Sequence, residues 1–111
     1  MTGVQTCALP ISAVANANHI AAWGGAEHLL GTNPLAIAVP TGGAPLVFDM
    51  ATSIVAYGMV KKYALRGMRM PEGWFLDAAT GESITDPAKS AAGVLQPMGE
   101  YKGSGLALIS G

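Results

Sequence analysis

The sequence predicts an α/β fold, because two short apolar runs are followed by a segment with helical periodicity. Leu35–Val39 is a continuous apolar run between two prolines, and its short length favours a buried strand over a helix. Residues 41–45 form a turn cluster of Thr, Gly, Ala and Pro. Residues 46–48 then predict a second buried strand, which Asp49 closes. A carboxylate at the exit of a buried strand is a common ligand position in α/β enzymes.

An amphipathic helix is predicted after the second strand, with the hydroxyl of Thr52 or Ser53 as its N-cap. An apolar side chain recurs every fourth residue and gives the helix one face for the core. Gly67 supplies the stop, since glycine readily takes the left-handed backbone found at helix ends. The apolar stripe is Val55, Met59 and Tyr63, and the basic residues that suit the C-terminal end are Lys61, Lys62 and Arg66.

Downstream, residues 74–76 predict a strand that enters a turn at residues 77–81. Asp86 as a cap and Pro87 at the first helical position predict a short helix. Residues 96–105 form a predicted glycine-punctuated loop, after which residues 106–109 begin a further helix or strand. Upstream of the first strand, residues 23–25 (Trp-Gly-Gly) predict a turn.

The composition is unusual for an independent domain. A chain of 111 residues suits one domain, yet 50% of the residues are hydrophobic and only 12% are charged, against about a quarter charged in ordinary soluble domains. We therefore expect other protein to cover much of this surface. A net charge of -1 gives no electrostatic footprint for nucleic acid or for an anionic membrane. Residues 28–48 carry no formal charge, but prolines and glycines interrupt them, so no transmembrane segment is predicted.

The first residues predict a non-native leader. Residues 1–11 match the translation of a short-read sequencing adapter, so we expect the biological sequence to begin near Ser12. Cys7 is the only cysteine and falls in this leader, where it has no partner for an internal disulfide. Nothing in the cysteine content indicates an oxidising compartment, and cytoplasm is expected. His19 and His28 lie nine residues apart, match no zinc-binding pattern and predict no metal site.

The glycine-rich stretch at residues 99–105 is the best candidate for a binding element. Glycine lets a backbone approach a ligand closely, a following helix would point free N–H groups at an anion, and Lys102 would add a positive charge. The stretch is not a Walker motif, nor a G-x-G-x-x-G motif, because Leu108 stands in place of the last glycine. An ordinary flexible turn remains the alternative.

Two polar residues near the predicted strands have open roles. Asp49 is either a structural cap or ion-paired acid, or a ligand contact through its carboxylate or the adjoining backbone. Asn33 precedes Pro34 and is therefore expected to be extended. We expect its side chain to bond local backbone in a turn. The alternative is that it lines the same ligand pocket as Asp49.

Seven motifs in a fixed order and spacing carry a resemblance. They are Trp23-Gly-Gly-Ala-Glu27, Leu30-Gly-Thr-Asn-Pro-Leu35, Phe48-Asp-Met-Ala-Thr-Ser53, Pro71-Glu-Gly-Trp74 with Asp77, Thr85-Asp-Pro87, Leu95–Gly99, and Lys102-Gly103 before Gly105-Leu-Ala-Leu108. Together they resemble the malate/L-lactate dehydrogenase family that is distinct from the Rossmann-type enzymes and includes ureidoglycolate, sulfolactate and diketogulonate oxidoreductases.

The resemblance implies a partial mixed-sheet region of a non-Rossmann NAD(P)-dependent dehydrogenase, with residues 12–111 as a fragment of its cofactor-binding domain. It implies hydride exchange between NAD or NADP and a 2-hydroxy acid or 2-oxo acid such as malate or lactate, in a homodimer. Two alternatives stay open. They are a non-catalytic nucleotide- or anion-binding module, and a structural fragment without independent activity.

By position, the resemblance implies cofactor contacts at Asp49, Met50, Ala51, Tyr101 and Lys102, which should converge on one dinucleotide cleft. The family's catalytic histidine lies upstream of this chain, and His19 is too close to the Trp-Gly-Gly turn to be that residue. The fragment alone is therefore expected to be inactive. Glu100 departs from the family pattern, which commonly has a glycine or a neutral residue there.

Overall fold

The computed structural model describes residues 9–12 and 18–111, so Cys7 lies outside the described residues. Six strands, a 3₁₀ helix and two α-helices make up the described chain. In order they are β1 (Leu9–Ser12), β2 (Leu35–Val39), β3 (Leu46–Met50), α1 (Tyr57–Leu65), β4 (Phe75–Asp77), β5 (Ser83–Ile84), the 3₁₀ helix (Pro87–Ala92), β6 (Gly93–Leu95) and α2 (Tyr101–Ser110). Strand β1 includes the last residues of the predicted leader, whose origin stays a prediction.

The strands form two small antiparallel sheets, in the orders β1-β2-β3 and β5-β4-β6. In the first sheet Asp49 pairs with Ala36, and in the second Phe75 pairs with Leu95. Among the described residues, the only parallel pairing is a single bridge between Ile20 and Leu95. The α/β class is confirmed, but the ladders are antiparallel rather than part of one mixed sheet.

The first sheet is far more exposed than the apolar runs predict. Leu46 and Val47 of β3 keep 67% and 60% of their surface in contact with solvent. The prediction of a buried strand is therefore wrong for β3 in this chain, because the strands of this sheet make their main contacts with one another. The described chain is elongated, 58 × 30 × 21 Å with a radius of gyration of 16.6 Å, against about 13 Å for a compact domain of this length.

The core lies between α1, the second sheet and the segment around Ile20. Phe75 is at its centre and contacts the ring of Tyr57 edge-on, while Tyr57 also stacks on His19 with 4.3 Å between ring centroids. Trp74 packs edge-on against Tyr63, as expected for an indole at the core boundary. The buried cluster is Ile20, Val60, Met70, Phe75, Ile84 and Leu95.

Helix α1 begins later than its predicted caps. Its N-cap is Ala56, which makes no side-chain capping bond, and the hydroxyls of Thr52 and Ser53 bond elsewhere. The predicted stop at Gly67 is confirmed: its φ is +62°, its N–H donates to Ala64, and the N–H of Met68 donates to the carbonyl of Tyr63. This bond pair is a Schellman motif, which needs a left-handed residue at that position.

The second half of the chain follows the predicted turn chemistry. Asp77 ends β4 and caps the turn that follows, and Asp86 caps the 3₁₀ helix by accepting the N–H of Ala88. Strands β5 and β6 were not predicted. The predicted loop is wrong from Tyr101 onward, where α2 already begins. No helix within residues 9–12 and 18–111 is long and apolar enough to cross a membrane.

Candidate functional site

Thr52 joins the end of the first sheet to the loop that leads into α2. Its side chain is fully buried, and both its N–H and its hydroxyl donate to the carbonyl of Thr32, at 2.8 and 3.0 Å. Its own carbonyl accepts the N–H of Met98 at 2.9 Å. Three of the sequence motifs therefore meet at one residue.

The residues on either side of Thr52 extend this junction. Ser53 forms an isolated bridge with Pro97, and the N–H of Ile54 donates to the carbonyl of Gln96 at 2.8 Å. Gln96 in turn donates its backbone N–H to Trp74 at 2.9 Å. The chain after β3 thus lies alongside the loop after β6, and the Glu-Gly-Trp motif is bonded to the same loop.

Gly103 lets the first turn of α2 lie directly against Thr52. A Cβ at this position would overlap the carbonyl oxygen of Met98 and come within 2.8 Å of the carbonyl oxygen of Thr52. Real Cβ atoms essentially never approach backbone atoms so closely. Glycine is required here for close approach of two backbones rather than for a turn.

The N–H groups at the start of α2 are largely used within the chain. Lys102 donates its N–H to Gly99 at 3.2 Å, and Gly103 donates to Met98 at 2.9 Å. The expectation of free helix N–H groups aimed at an anion is therefore wrong for these two positions, because the preceding turn already supplies acceptors. The Lys102 side chain is exposed, and its ammonium group is the positive charge available at this helix end.

Glu100 is the N-cap of α2 and has strained backbone dihedrals, φ +59° and ψ -121°. Such a conformation costs a non-glycine residue about 1–3 kcal/mol. We expect Glu100→Gly to raise the free energy of unfolding by about 1 kcal/mol, since glycine adopts positive φ without steric conflict. Chemical denaturation measures it, with Glu100→Gln as the control that removes the charge and keeps the strain. Equal stability changes in the two variants would contradict the strain argument.

The five predicted cofactor contacts lie on the two segments that Thr52 joins. Asp49 and Met50 are exposed residues inside β3, so Asp49 lies within the strand and not at its exit, and α1 begins only at Tyr57. Ala51 is half-buried beside Thr52, and Tyr101 and Lys102 are exposed in the first turn of α2. The segments approach each other through Thr52, Met98 and Gly103; a cofactor cleft between them stays a prediction.

Asn33 differs from the prediction in its backbone conformation. Its φ is +28°, in the left-handed region, so the extended conformation expected before proline is wrong. Its buried amide donates from Nδ2 to the carbonyl of Ala107 in α2 at 3.0 Å, a long-range contact that the sequence did not indicate. Asparagine is among the residues that best tolerate positive φ, which is the only signal in the sequence that favours this geometry.

A groove next to the start of α2 has no counterpart among the sequence predictions. It consists of two cavities, of about 440 and 360 Å³, that share Trp23, Leu76 and Gln96. The Trp-Gly-Gly turn is held beside α2 because the backbone N–H of Trp23 donates to Oγ of Ser104 at 3.0 Å. None of the five predicted cofactor contacts lines these two cavities. We call this pair of cavities the Trp23 groove.

Asp77 lines the smaller cavity of the Trp23 groove. Its Oδ1 accepts the N–H groups of Ala79 and Thr80, at 2.8 and 3.0 Å, and these bonds lower the pKa of its carboxyl below the ordinary value. The group therefore stays ionised at neutral pH. Within the described ranges, no group of three or more His, Cys, Asp or Glu side chains is placed to hold a metal ion.

Comparison with known proteins identifies relatives over most of the chain. A family model described as malate/L-lactate dehydrogenase matches residues 8–110. A (2R)-3-sulfolactate dehydrogenase (NADP(+)) of Chromohalobacter salexigens is 46% identical over 91 residues, and a Delta(1)-pyrroline-2-carboxylate reductase of Pseudomonas fluorescens is 44% identical over 91 residues. Each match covers 81% of this chain and 27% of the relative. The chain thus spans about a quarter of the length of these curated relatives.

Solved structures show the same relationship. A sulfolactate dehydrogenase of Methanocaldococcus jannaschii superposes with a TM-score of 0.79 at 36% identity, covering 94% of this chain and 29% of that one. A delta1-piperideine-2-carboxylate reductase of Pseudomonas syringae gives 0.81 at 35% identity, covering 93% and 31%. The fold of the described chain is therefore shared with a segment of these longer proteins.

Proposed function

The chain belongs to the malate/L-lactate dehydrogenase family, and we propose that it is part of an enzyme that transfers a hydride between NAD(P) and a 2-hydroxy acid or 2-oxo acid. The single observation that supports a cofactor role for this region is the junction at Thr52. At this junction Thr52, the residue after the Asp-Met-Ala segment, bonds Met98 and lies against Gly103 in the first turn of α2, although some fifty residues separate Thr52 from that helix in sequence.

The residues at this junction suit a dinucleotide in chemical type. Lys102 offers an exposed ammonium group for a phosphate, and Asp49 offers an exposed carboxylate for a ribose hydroxyl. Met50, Ala51 and Tyr101 supply apolar surface beside them. Because two N–H groups of α2 are already bonded, we propose that phosphate recognition depends on the Lys102 side chain more than on the helix terminus.

When bound, the cofactor supplies the hydride chemistry, and the protein supplies orientation and electrostatics. The proposed role of this chain is to hold the cofactor, and no residue in it is proposed as the acid–base group. We expect the 111-residue chain alone to show no 2-oxo acid-dependent oxidation of NADH or NADPH.

The substrate proposal is a 2-hydroxy or 2-oxo acid such as malate or lactate. Relatives are named for sulfolactate, for malate and for the cyclic imine Delta(1)-pyrroline-2-carboxylate, so both oxo acids and cyclic imines belong in the assay. We also propose a homodimer in the cytoplasm. The exposed apolar residues of β3 and of α2, including Leu46, Val47 and Ile109, support burial of these faces in the complete protein.

The test is a steady-state assay of the protein encoded by the complete open reading frame, with NADH and NADPH. Lys102→Ala is expected to raise KM for the cofactor about tenfold with little change in kcat, because it removes a charge that binds ground state and transition state alike. Lys89→Ala, which removes an exposed lysine of the 3₁₀ helix, is the matched control. An unchanged KM for the cofactor in Lys102→Ala would refute the proposed phosphate contact. Absence of any dehydrogenase activity in the complete protein would refute the proposed function.

A further inference from the structure

We propose that the Trp23 groove is a binding site for a planar nitrogen-containing ring that donates N–H hydrogen bonds and carries no negative charge. The groove is then a subsite next to the proposed cofactor contacts. Only the identity of the molecule that carries the ring rests on the proposed function. The recognition itself rests on Trp23, Gln96 and Glu100.

The aromatic wall comes from Trp23. Its side chain lines both cavities and is 47% exposed, so part of the indole is open to a ligand. The hydrogen bond from its backbone to Ser104 fixes the turn that carries it. Leu76 also lines both cavities and adds apolar surface. A fixed, partly open indole beside aliphatic surface favours stacking with a planar ring.

Gln96 supplies a directional acceptor. Its side chain is only 7% exposed and lines both cavities, and its Nε2 donates to the carbonyl of Val94 at 3.2 Å. Since a carbonyl oxygen only accepts, the amide nitrogen must face Val94, which fixes the amide orientation and leaves Oε1 as the acceptor for the groove. A fixed acceptor of this kind favours a ligand that brings an N–H group.

The charges of the groove have one sign. Glu100 lines the larger cavity and Asp77 lines the smaller, while no lysine or arginine from residues 9–12 or 18–111 lines either. Phosphate and carboxylate groups are therefore disfavoured inside the groove, and neutral or cationic rings are favoured. Lys102 is in the first turn of α2 and does not line the groove, so a phosphate would bind outside it.

Nicotinamide and nicotinate make the sharpest test, because they have nearly the same shape. Nicotinamide is neutral and donates N–H bonds, whereas nicotinate is an anion with an acceptor-only carboxylate. Titration of the ¹⁵N-labelled 111-residue chain, followed by NMR at the Trp23 indole and the Gln96 amide, should give saturable shifts with nicotinamide. Nicotinate should bind at least about tenfold more weakly, since it leaves the Gln96 acceptor unpaired.

Adenosine is the second probe, because the amino group of adenine also donates N–H bonds. Saturable shifts with nicotinamide or with adenosine support the groove and identify which end of a dinucleotide it takes. Trp23→Ala should weaken the binding of that ring by about tenfold through lost stacking. Gln96→Met should weaken it by removing the acceptor. Glu100→Gln removes a negative charge from the groove and should reduce the preference for nicotinamide over nicotinate. Its control is Glu82→Gln, since Glu82 is an exposed acid that lines neither cavity.

Equal binding of nicotinate and nicotinamide would overturn the proposal, as would shifts that survive both Trp23→Ala and Gln96→Met. The same titration on the complete protein is the second measurement, and absence of saturable shifts in both samples also overturns it. Dehydrogenase activity of the complete protein without ring binding in the groove would refute the groove as a binding site and leave the proposed function intact. Ring binding without dehydrogenase activity would refute the proposed function and leave the binding site intact.

Discussion

Gly103→Ala is expected to lower the free energy of unfolding of the chain by about 3 kcal/mol, the upper part of the range for overpacking a closely packed site. The new methyl group would overlap the carbonyl of Met98 and press on the carbonyl of Thr52. Both neighbours are backbone atoms held by hydrogen bonds, so no side chain can rotate away. The first turn of α2 must therefore move away from Thr52, which opens the junction between the two halves of the proposed cofactor site.

Gly105→Ala is the matched control for this experiment. It lies in the same helix, and a Cβ there meets nothing within 4 Å. Alanine in place of glycine inside a helix stabilises by about 1 kcal/mol, so the two substitutions should change stability in opposite directions. Urea denaturation monitored by circular dichroism measures both. If Gly103→Ala proved as stable as Gly105→Ala, the close packing at Thr52 would be refuted.

Local signals in the sequence predicted local structure well. The run between Pro34 and Pro40 became β2, Gly67 ended α1, and Asp86 capped a helical turn, because each depends on the chemistry of a few adjacent residues. The predictions failed where a distant segment decides. Thr52 looked like an N-cap from its neighbours alone, but its hydroxyl bonds Thr32, twenty residues earlier in the chain.

The site shows the same division. The order of the motifs identified the family, and the residues of the predicted cofactor contacts could be named from it. Three features could not be read from the sequence: the use of helix N–H groups by the preceding turn, the backbone contact at Gly103, and the groove at Trp23. The groove and the contact of Gly103 with Thr52 depend on segments far apart in sequence, since Trp23 meets Ser104 only after the chain has folded. The use of the helix N–H groups depends on the backbone path of residues 98–100, where Glu100 has a positive φ.

Asn33→Asp is expected to destabilise the chain by about 3 kcal/mol at pH 7, because it places a carboxylate against a carbonyl oxygen at a buried position. Asn33 is 2% exposed, and its Nδ2 donates to the carbonyl of Ala107 across 3.0 Å. The substitution keeps the size and shape of the side chain and retains tolerance of positive φ. The expected loss of stability therefore comes from the exchange of a donor for a charged acceptor. The repulsion between this acceptor and the carbonyl of Ala107 separates the Gly-Thr-Asn-Pro segment from α2.

The pH dependence gives this prediction a specific signature. Burial and the facing carbonyl both raise the pKa of the introduced carboxyl in the folded state above its unfolded value of about 4. The folded state of the variant then favours the protonated form, which can donate a hydrogen bond to Ala107. The stability difference from the parent should be largest above the raised pKa and should shrink as the pH falls through it. Asn33→Gly is the control, since it keeps the backbone conformation and introduces no charge. Parallel pH profiles of the free energy of unfolding for the Asp and Gly variants would refute the proposed contact between Asn33 and α2.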